Sequence, residues 1–294
     1  MYLAHFGLRE MPFSLTPDIV FAYQGRAYQE GLNTLLLALD SGEGFVKVTG
    51  EVGTGKTLLC RALLARLGDD TVTAYIPNPK LGTQQMLRHL ALELGVRLRP
   101  QNRVPDLYVA VERKLLSLAD EGRRVVLCID EAQALPVSTL ESLRLLSNLE
   151  TGKHKLIQIV LFGQPELDDL LQTRALRSLA SRIAFSARLA PIPQRDFGSY
   201  LRHRLGVAGW AGPDILSAPA CWLLWLGSGG VPRRANALTH KALLLAFGEG
   251  CRHIDAGLAW RAWRDGVSLP HALRSLFRST TALLLGRPAA GATP

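Results

Sequence analysis

The chain has 294 residues, 48% of them apolar and 20% charged, with a formal net charge of +9. This balance is that of a folded globular protein and excludes a disordered chain, and the length suits one large domain or a core with a smaller second one. Apolar runs stay well below the roughly 20 residues of a membrane span, and the first residues lack the features of a secretory signal. We therefore expect a cytoplasmic protein.

The beginning of the chain is predicted to be an extended lead-in followed by one helix. Residues 1–30 contain several turn formers, among them Gly7, Pro12 and Pro17, which disfavour a long helix. Leucines at helical spacing then predict a helix over Gln29–Leu39, which ends before a Ser-Gly pair.

A glycine-rich loop follows the apolar run from Phe45 to Thr49 and precedes a helical pattern. Its pattern, G-x-x-x-x-G-K-[ST], is that of a phosphate-binding loop. Glycines let several backbone N–H groups face one anion, and the start of a helix adds a partial positive charge at the same point. We expect Lys56 to bridge the β- and γ-phosphates of ATP and the Thr57 hydroxyl to bind Mg²⁺. The residues expected to hold the nucleotide here are Gly50, Glu51, Val52, Gly53, Thr54, Gly55, Lys56, Thr57 and Leu58.

Three elements are predicted between this loop and the next motif. β-Branched residues from Thr71 to Ile76 indicate a strand that ends at the break Pro77-Asn78-Pro79. Apolar residues at helical spacing indicate two helices, over Gln84–Leu94 and Asp106–Asp120.

An unbroken apolar run, Val125 to Ile129, ends in the carboxylates Asp130 and Glu131. Such a run suits a central parallel strand covered on both faces, and ligands of open α/β sheets bind beyond the carboxyl ends of these strands. Asp130 is therefore expected to hold Mg²⁺ through water, and Glu131 to orient and deprotonate the attacking water. The alternative is that the two carboxylates cap the next helix.

Polar residues near two further strands are candidates for contacts to the γ-phosphate. After a helix predicted over Pro136–Leu149, the run Lys155 to Phe162 indicates a strand with Gln164 at its tip. The Gln164 amide either reads the γ-phosphate or positions the water, or it caps a turn. Arginines precede a short final strand, Ile183–Phe185; one of them, supplied by a neighbouring subunit, would stabilise transition-state charge, unless they form a solvated helix face. These arginines are Arg174, Arg177 and Arg182.

The break Pro191-Ile192-Pro193 ends the α/β pattern, and only helical periodicity follows. We expect a small second domain of helices. Within it, Gly229-Gly230 supplies a sharp turn and Arg233 begins a helix, from which its guanidinium would reach the nucleotide when the two domains close. The N-terminal lead-in, residues 1–30, is expected to pack near the adenine base of the nucleotide. The helices are predicted over Gln194–Leu205, Pro219–Leu226, Pro232–Phe247 and Ile254–Gly266.

These patterns divide the chain into four parts. We expect the lead-in and first helix of the core at 1–40, an α/β nucleotide-binding core at 41–191 and a helical lid at 192–267. Residues 268–294 are predicted to be a basic, partly amphipathic tail that is disordered past Gly286.

The charge, the cysteines and the histidines indicate which partners, thiol states and metal sites to expect. The excess of basic residues indicates contact with nucleic acid or an anionic membrane, or else a solvated surface that also meets nucleotide phosphates. The cysteines show no C-x-x-C pair, so buried reduced thiols are expected. The histidines lack ligand spacing, so no metal is predicted beyond the nucleotide's Mg²⁺. The cysteines are Cys60, Cys128, Cys221 and Cys251.

The order of these motifs resembles that of the AAA+ ATPases, with Walker A, Walker B, sensor 1, arginine finger and sensor 2. Over about residues 1–265 the sequence is similar to the ExeA/GspA family, ATPases of type II secretion and of related type IV pilus systems such as the MSHA pilus. The resemblance implies an α/β P-loop NTPase of the AAA+/ASCE class, with a central parallel five-stranded sheet flanked by helices and a small all-α lid. The segments that carry it are Met1–Leu3, Phe6–Leu8, Pro12–Asp18, Gly50–Thr57, Ile129–Gln133, Gly163–Leu167 and Gly229–Arg233.

Residue roles follow from the resemblance one position at a time. Leu58 stands where many relatives carry a second threonine, and Mg²⁺ binding is expected to be intact because Thr57 is present. The resemblance implies these roles: phosphate and Mg²⁺ ligands Lys56 and Thr57, Mg²⁺ carboxylate Asp130, catalytic base Glu131, sensor 1 Gln164, sensor 2 Arg233, and arginine finger Arg182 with Arg177 in reserve.

The family implies an ATP hydrolase that works as a homo-oligomeric ring or filament and drives assembly of a secretion or pilus apparatus at the inner membrane. Its expected partners are inner-membrane secretion or pilus proteins. Longer members continue into a membrane span and a peptidoglycan-binding domain; their absence here favours a short, MshM-like branch, with any peripheral membrane contact made by a partner or by the basic segment after Ser268. The alternative is a DNA-associated AAA+ regulator of the transposition type.

Overall fold

The computed structural model describes residues 2–77, 80–151 and 155–265. Its centre is a five-stranded sheet with the strand order β2-β3-β4-β1-β5, in which neighbouring strands are parallel. The expected α/β fold with a central parallel five-stranded sheet is confirmed. The strands are β1 (Phe45–Gly50), β2 (Thr71–Ile76), β3 (Arg124–Ile129), β4 (Gln158–Gly163) and β5 (Ile183–Leu189).

Helices connect the strands and then form a separate cluster after β5. Within the described ranges, the first eight α-helices belong to the N-terminus and the α/β part, and four more follow β5. They are α1 (Tyr2–Phe6), α2 (Arg26–Asp40), α3 (Lys56–Leu64), α4 (Thr83–Glu93), α5 (Val104–Asp120), α6 (Val137–Leu146), α7 (Glu166–Gln172), α8 (Arg177–Ala180), α9 (Gln194–Val207), α10 (Ala218–Ser228), α11 (Pro232–Gly248) and α12 (Ala256–Arg264).

Both faces of the sheet are covered by helices, which explains the unbroken apolar run of β3. Successive side chains of a strand point to opposite faces. Leu127 and Ile129 join a core with α4 to α7, whereas Val126 and Cys128 join a core with α2 and α3. The five residues from Val125 to Ile129 are therefore all apolar and buried, and polar side chains stand only at the exposed start of the strand, Arg124, and beyond its end.

The N-terminal segment, residues 2–21, packs against α9 and α11, two of the helices that follow β5. Tyr2, Phe6 and Phe13 are almost fully buried in the same apolar cluster as Phe197 and Leu243 of α9 and α11. The lead-in is thus partly helical and encloses a core with residues from the far end of the chain. The domain boundaries at 40, 191 and 267 stay a prediction.

Several predicted elements differ in length from those of the structure. The strand expected over Ile183–Phe185 extends to Leu189, because β5 alternates exposed and half-buried residues before the buried Leu189, as an edge strand does. The helix expected to reach Leu149 ends at Leu146, and the strand expected from Lys155 begins at Gln158. The predicted tail, 268–294, lies outside the described residues, as do Asn78, Pro79 and Gly266.

Two general features complete the description. Among the described residues, no helix combines the length and the apolar character that crossing a bilayer requires. The four cysteines are free; Cys60 and Cys128 are buried as expected, whereas Cys221 is half-buried and Cys251 is exposed.

Candidate active site

The candidate residues that follow β1, β3 and β4 meet at one edge of the sheet. These strands are neighbours in the order β3-β4-β1 and all point the same way. The phosphate-binding loop after β1 therefore lies beside the acidic pair after β3 and the glutamine after β4. Residues that are up to 114 positions apart, from Gly50 to Gln164, are brought together by parallel topology alone.

Lys56 is held inside the phosphate-binding loop. Its side chain is 5% exposed, and its Nζ donates to the carbonyl oxygens of Gly50 at 2.7 Å and Glu51 at 3.0 Å. Burial lowers the pKa of Lys56 below its ordinary value, and the nearby carboxylates of Glu131 and Asp130 oppose that shift. An anion in the loop would supply the negative charge that this buried ammonium needs.

Thr57 and Asp130 form a paired oxygen site. The Thr57 hydroxyl donates to Oδ2 of Asp130 at 2.5 Å, and the backbone N–H of Glu131 donates to Oδ1 at 3.0 Å. Burial raises the pKa of Asp130, and the bond from Thr57 works in the opposite direction. A hydroxyl beside a buried carboxylate fits Mg²⁺, which prefers oxygen ligands from one or two protein groups together with water and substrate phosphates. The residues present thus fit the expected ion.

Glu131 has a left-handed backbone and a side chain held by two amides. Its φ of 52° is positive, unlike that of any other non-glycine residue among those described, and such outliers cluster at functional sites. The amide of Gln164 donates to Glu131 Oε2 at 2.8 Å, and the amide of Gln133 donates to the same oxygen at 2.6 Å. Contacts of this kind place the predicted base and the predicted sensor in one cluster.

Arg233 lies where the helical part touches the phosphate-binding loop. Its backbone N–H donates to the carbonyl of Gly53 at 3.2 Å, and a Cβ added at Gly53 would lie 2.6 Å from that of Arg233. The loop and the start of α11 are therefore in direct contact through their backbones. Only glycine suits position 53, which also has a φ of +84°.

A cavity of about 570 Å³ opens between the sheet edge and the helical part. Its wall includes Val52 to Leu58, Glu131 and Arg233, together with Ser14 to Asp18 of the N-terminal segment. The volume is within the range of small-molecule and nucleotide sites. The N-terminal segment thus forms part of the wall, and its packing near the nucleotide base stays a prediction.

Arg182 is separated from the other predicted residues. It precedes β5, whose first residue pairs with Phe45 at the amino end of β1, whereas Leu189 pairs with Gly50 at the phosphate loop. Six residue steps along a strand cover about 20 Å. Arg182 is exposed and donates to Oδ1 of Asn148. It is thus remote from the site of its own chain.

Sequence reasoning missed two groups of residues that shape the site. The motif Ile129–Gln133 includes Gln133 but gives it no role, although Gln133 contacts both Glu131 and Gln164. Arg204 and Asn236 were not singled out; both line the cavity and hold the N-terminal segment through the carbonyl of Ser14. The sequence offers one signal for these residues: the Ile-Asp-Glu-Ala-Gln motif at 129–133 in a chain that also has a phosphate-binding loop. That signal could have identified Gln133, but not Arg204 or Asn236.

The fold and this arrangement of residues define a P-loop nucleotide-binding protein of the AAA+ class. A family model described as an AAA domain matches residues 39–171. Two groups of solved structures share the fold. The Aeropyrum pernix ORC2 protein is 17% identical with a TM-score of 0.64, covering 87% of this chain and 73% of that one. The Thermotoga maritima RuvB Holliday junction branch migration motor is 17% identical with a TM-score of 0.56, covering 93% and 83%.

A curated relative gives the finer assignment. General secretion pathway protein A of Aeromonas hydrophila is 41% identical over 257 residues, which is 87% of this chain and 47% of that protein. The chain thus spans about half the length of the curated relative that it matches. It belongs to the ExeA/GspA family of AAA+ ATPases, as the motifs had indicated.

Proposed function

We propose that this chain binds MgATP in the cavity at the sheet edge and hydrolyses it. The observation that carries the proposal is the cluster at the ends of β1, β3 and β4, in which Thr57 contacts Asp130 and Gln164 contacts Glu131. A phosphate loop alone indicates only binding. A carboxylate positioned beside it supplies the base that hydrolysis needs.

The residues divide the work of phosphoryl transfer. Lys56 and the loop N–H groups neutralise the phosphates, while Thr57 and Asp130 would hold Mg²⁺, which would supply further positive charge beside the phosphates. Both amide donors contact Glu131 Oε2, so Oε1 is the oxygen that accepts a proton from the attacking water. Arg233 at the start of α11 is positioned to sense the γ-phosphate through closure of the helical part.

The remoteness of Arg182 from its own cavity supports a role in a neighbouring subunit. An arginine about 20 Å from the loop of its own chain stabilises transferred charge only if another copy supplies it. We therefore propose a homo-oligomer with the nucleotide between subunits, with Arg177 as the alternative donor.

The family relationship supports a role in secretion. The relative named General secretion pathway protein A shares 41% identity with most of this chain. We propose that the ATPase cycle drives assembly of a type II secretion or MSHA-like type IV pilus apparatus at the bacterial inner membrane, from a cytoplasmic or peripheral position. Inner-membrane proteins of that apparatus are its proposed partners, and a short MshM-like branch is its proposed place in the family.

Phosphate release from MgATP tests the proposal with two matched variants. Lys56→Ala is expected to abolish nucleotide binding, because the buried ammonium is the main charge in the loop. Glu131→Gln is expected to bind ATP normally but to lose about 10²- to 10⁴-fold in kcat, the usual contribution of a general base. Turnover by Glu131→Gln at the wild-type rate would refute the assignment of the base. Normal secretion and normal pili in a strain that carries only Lys56→Ala would refute the role in assembly.

A second candidate is a DNA-associated AAA+ regulator of the transposition type. It is favoured by the net charge of +9 and by Arg97, Arg99 and Arg103, all exposed in the connection between α4 and α5. Binding to duplex DNA that weakens steeply with salt in the presence of ATP would support it. Absence of binding at physiological salt would exclude it.

A further inference from the structure

Among the residues that the structure describes, Gln133 is the one that bonds to both the predicted base, Glu131, and the backbone of the predicted sensor, Gln164. Its Nε2 donates to Oε2 of Glu131 at 2.6 Å, and its Oε1 accepts the backbone N–H of Gln164 at 3.0 Å. The two bonds use opposite ends of one planar amide. The position of that amide is therefore fixed by a contact on each side.

The polarity of these bonds explains why a glutamine fits here. The backbone N–H at the tip of β4 requires an acceptor, so it selects the orientation of the Gln133 amide that turns Nε2 towards Glu131. A carboxylate at 133 would still accept from Gln164 but would repel Glu131. A thioether would fill the space and make neither bond.

Packing leaves the amide little freedom. Gly163 ends β4 directly beneath it, and a Cβ added there would lie 2.6 Å from Leu167 Cδ2 and 3.2 Å from Gln133 Oε1. The glycine lets Leu167 and the Gln133 amide approach the strand. A side chain there would clash with Leu167 and crowd the amide oxygen that accepts from the Gln164 N–H.

The left-handed backbone of Glu131 sets the direction in which its side chain leaves the chain, and the two amide contacts set where its carboxylate lies. Its φ of 52° and ψ of 38° put it in the left-handed region, which a residue other than glycine occupies only when its surroundings impose it. The Gln164 side chain also donates to Glu131, but that amide is the predicted γ-phosphate sensor. If ATP engages the Gln164 amide, the Gln133 amide is the donor that still contacts the Glu131 carboxylate.

We propose that Gln133 is a positioning residue for hydrolysis: it ties the tip of β4 to Glu131 and holds the carboxylate at the orientation that activates water. The inference rests on the proposed ATPase activity. Gln133 acts through Glu131 rather than on the nucleotide, so its loss changes kcat while the affinity for MgATP stays the same.

Two isosteric variants separate the two bonds. Gln133→Met removes both, and Gln133→Glu removes the donor to Glu131 but keeps an acceptor for Gln164. Both are expected to lose about 10- to 100-fold in kcat, the usual effect of removing a supporting partner of an active-site group, with the dissociation constant of a fluorescent ATP analogue within about twofold of wild type. Hydrogen exchange of the Gln164 amide is expected to accelerate in Gln133→Met alone. Gln172→Met, at an exposed glutamine, is the control.

The possible results distinguish failure of the proposed ATPase activity from failure of the proposed role of Gln133. If wild-type protein releases no phosphate from MgATP, the proposed function fails and the inference fails with it. If wild type turns over and Gln133→Met matches it within about twofold, the inference alone is overturned. A kcat loss that is accompanied by an equal loss of MgATP affinity, or by unchanged exchange at Gln164 in Gln133→Met, overturns it as well.

Discussion

Asp130 is a buried carboxylate that the nucleotide-free protein tolerates at a cost. It is 3% exposed, and burial raises its pKa. Its charged form is penalised until a cation arrives, so the folded protein without ligand is less stable than its packing allows. This is the compromise between stability and function that active sites commonly make.

Asp130→Asn tests that compromise. The amide oxygen still accepts from the Glu131 N–H, and the amide NH2 donates to the Thr57 hydroxyl, which can accept as well as donate. The substitution removes the buried charge, so we expect the nucleotide-free protein to gain about 0.5–2 kcal/mol, or roughly 2–4 °C in Tm per kcal/mol for a chain of this size. The stabilisation that MgATP adds to wild type is expected to be lost. Thermal unfolding with and without MgATP measures both effects. Asp69→Asn, at an exposed aspartate, is the control, and a destabilised Asp130→Asn would refute the argument.

Single residues also show which parts of the site could be predicted from the sequence and which could not. Lys56, Thr57 and Asp130 were predicted to meet because a local motif and the end of an apolar run specify their chemistry. Gln133 was not, because its role depends on the N–H of Gln164, 31 positions along the chain. Nothing local distinguishes an amide that will meet such a partner from one that faces water.

Among the elements, the N-terminal segment has the least expected position. Arg204 is 7% exposed, and its guanidinium donates to the carbonyl of Pro12 at 2.6 Å and lies 4.9 Å from the ring centre of Phe21. Asn236 donates to Ser14, and Arg61 of α3 donates to Pro17. The segment is therefore fastened to the helical part and to the helix after the phosphate loop.

Two histidines make the packing of the N-terminal segment against the helical part less stable at low pH. Tyr2 contacts Nδ1 of His240 at 2.9 Å, and the ring of Tyr23 lies 5.7 Å from that of His203. Burial lowers the pKa of both histidines below 6.5; at His203 the carbonyl of Ala22 opposes the shift and Arg204 adds to it. The unfolded chain then binds protons more readily than the folded one. Stability is at its full value above pH 6.5 and decreases as the pH falls towards the lower native pKa values.

We expect Tm to fall by a few degrees between about pH 7.5 and about pH 5.5, with the N-terminal segment becoming sensitive to protease over the same interval. The double variant His203→Gln, His240→Gln is expected to show a smaller pH dependence, although its stability at neutral pH is lower. His253→Gln, at an exposed histidine, is expected to behave as wild type. An unchanged pH dependence in the double variant would show that other groups control the transition.

The elements differ in how well their sequences predicted them. β3 and α5 were found because long apolar patterns specify them. β5 was predicted too short, because Ser186 and Arg188 face solvent on an edge strand and interrupt the apolar run. The docking of the N-terminal segment was not predicted, because it depends on contacts such as Arg204 to Pro12, 192 positions apart.

On the scale of the whole molecule, the distance between Arg182 and the cavity leads to a prediction about assembly. If one subunit supplies Glu131 and its neighbour supplies Arg182, each single variant removes one half of every site. A mixture of Glu131→Gln and Arg182→Ala subunits then contains sites with both halves intact, about a quarter of them at equal, random mixing.

We therefore expect each variant to be inactive alone and the mixture to recover up to about a quarter of wild-type phosphate release. Mixing Glu131→Gln with the double variant Glu131→Gln, Arg182→Ala is expected to recover nothing. Asn148→Ala removes the contact that Arg182 makes within its own chain and is expected to stay active. Full activity of Arg182→Ala alone would move the assignment to Arg177 or end it.

The backbone contact between Gly53 and Arg233 couples movement of the phosphate-binding loop to movement of the helical part. No flexible side chain lies between the two, so a small displacement of the loop is passed to the first turn of α11 without being absorbed. That helix contributes Ala235, Ala242 and Leu243 to the apolar interior shared with the N-terminal segment. Departure of a phosphate would thus displace the N-terminal segment as well, so that a partner in contact with this segment could distinguish which nucleotide is bound.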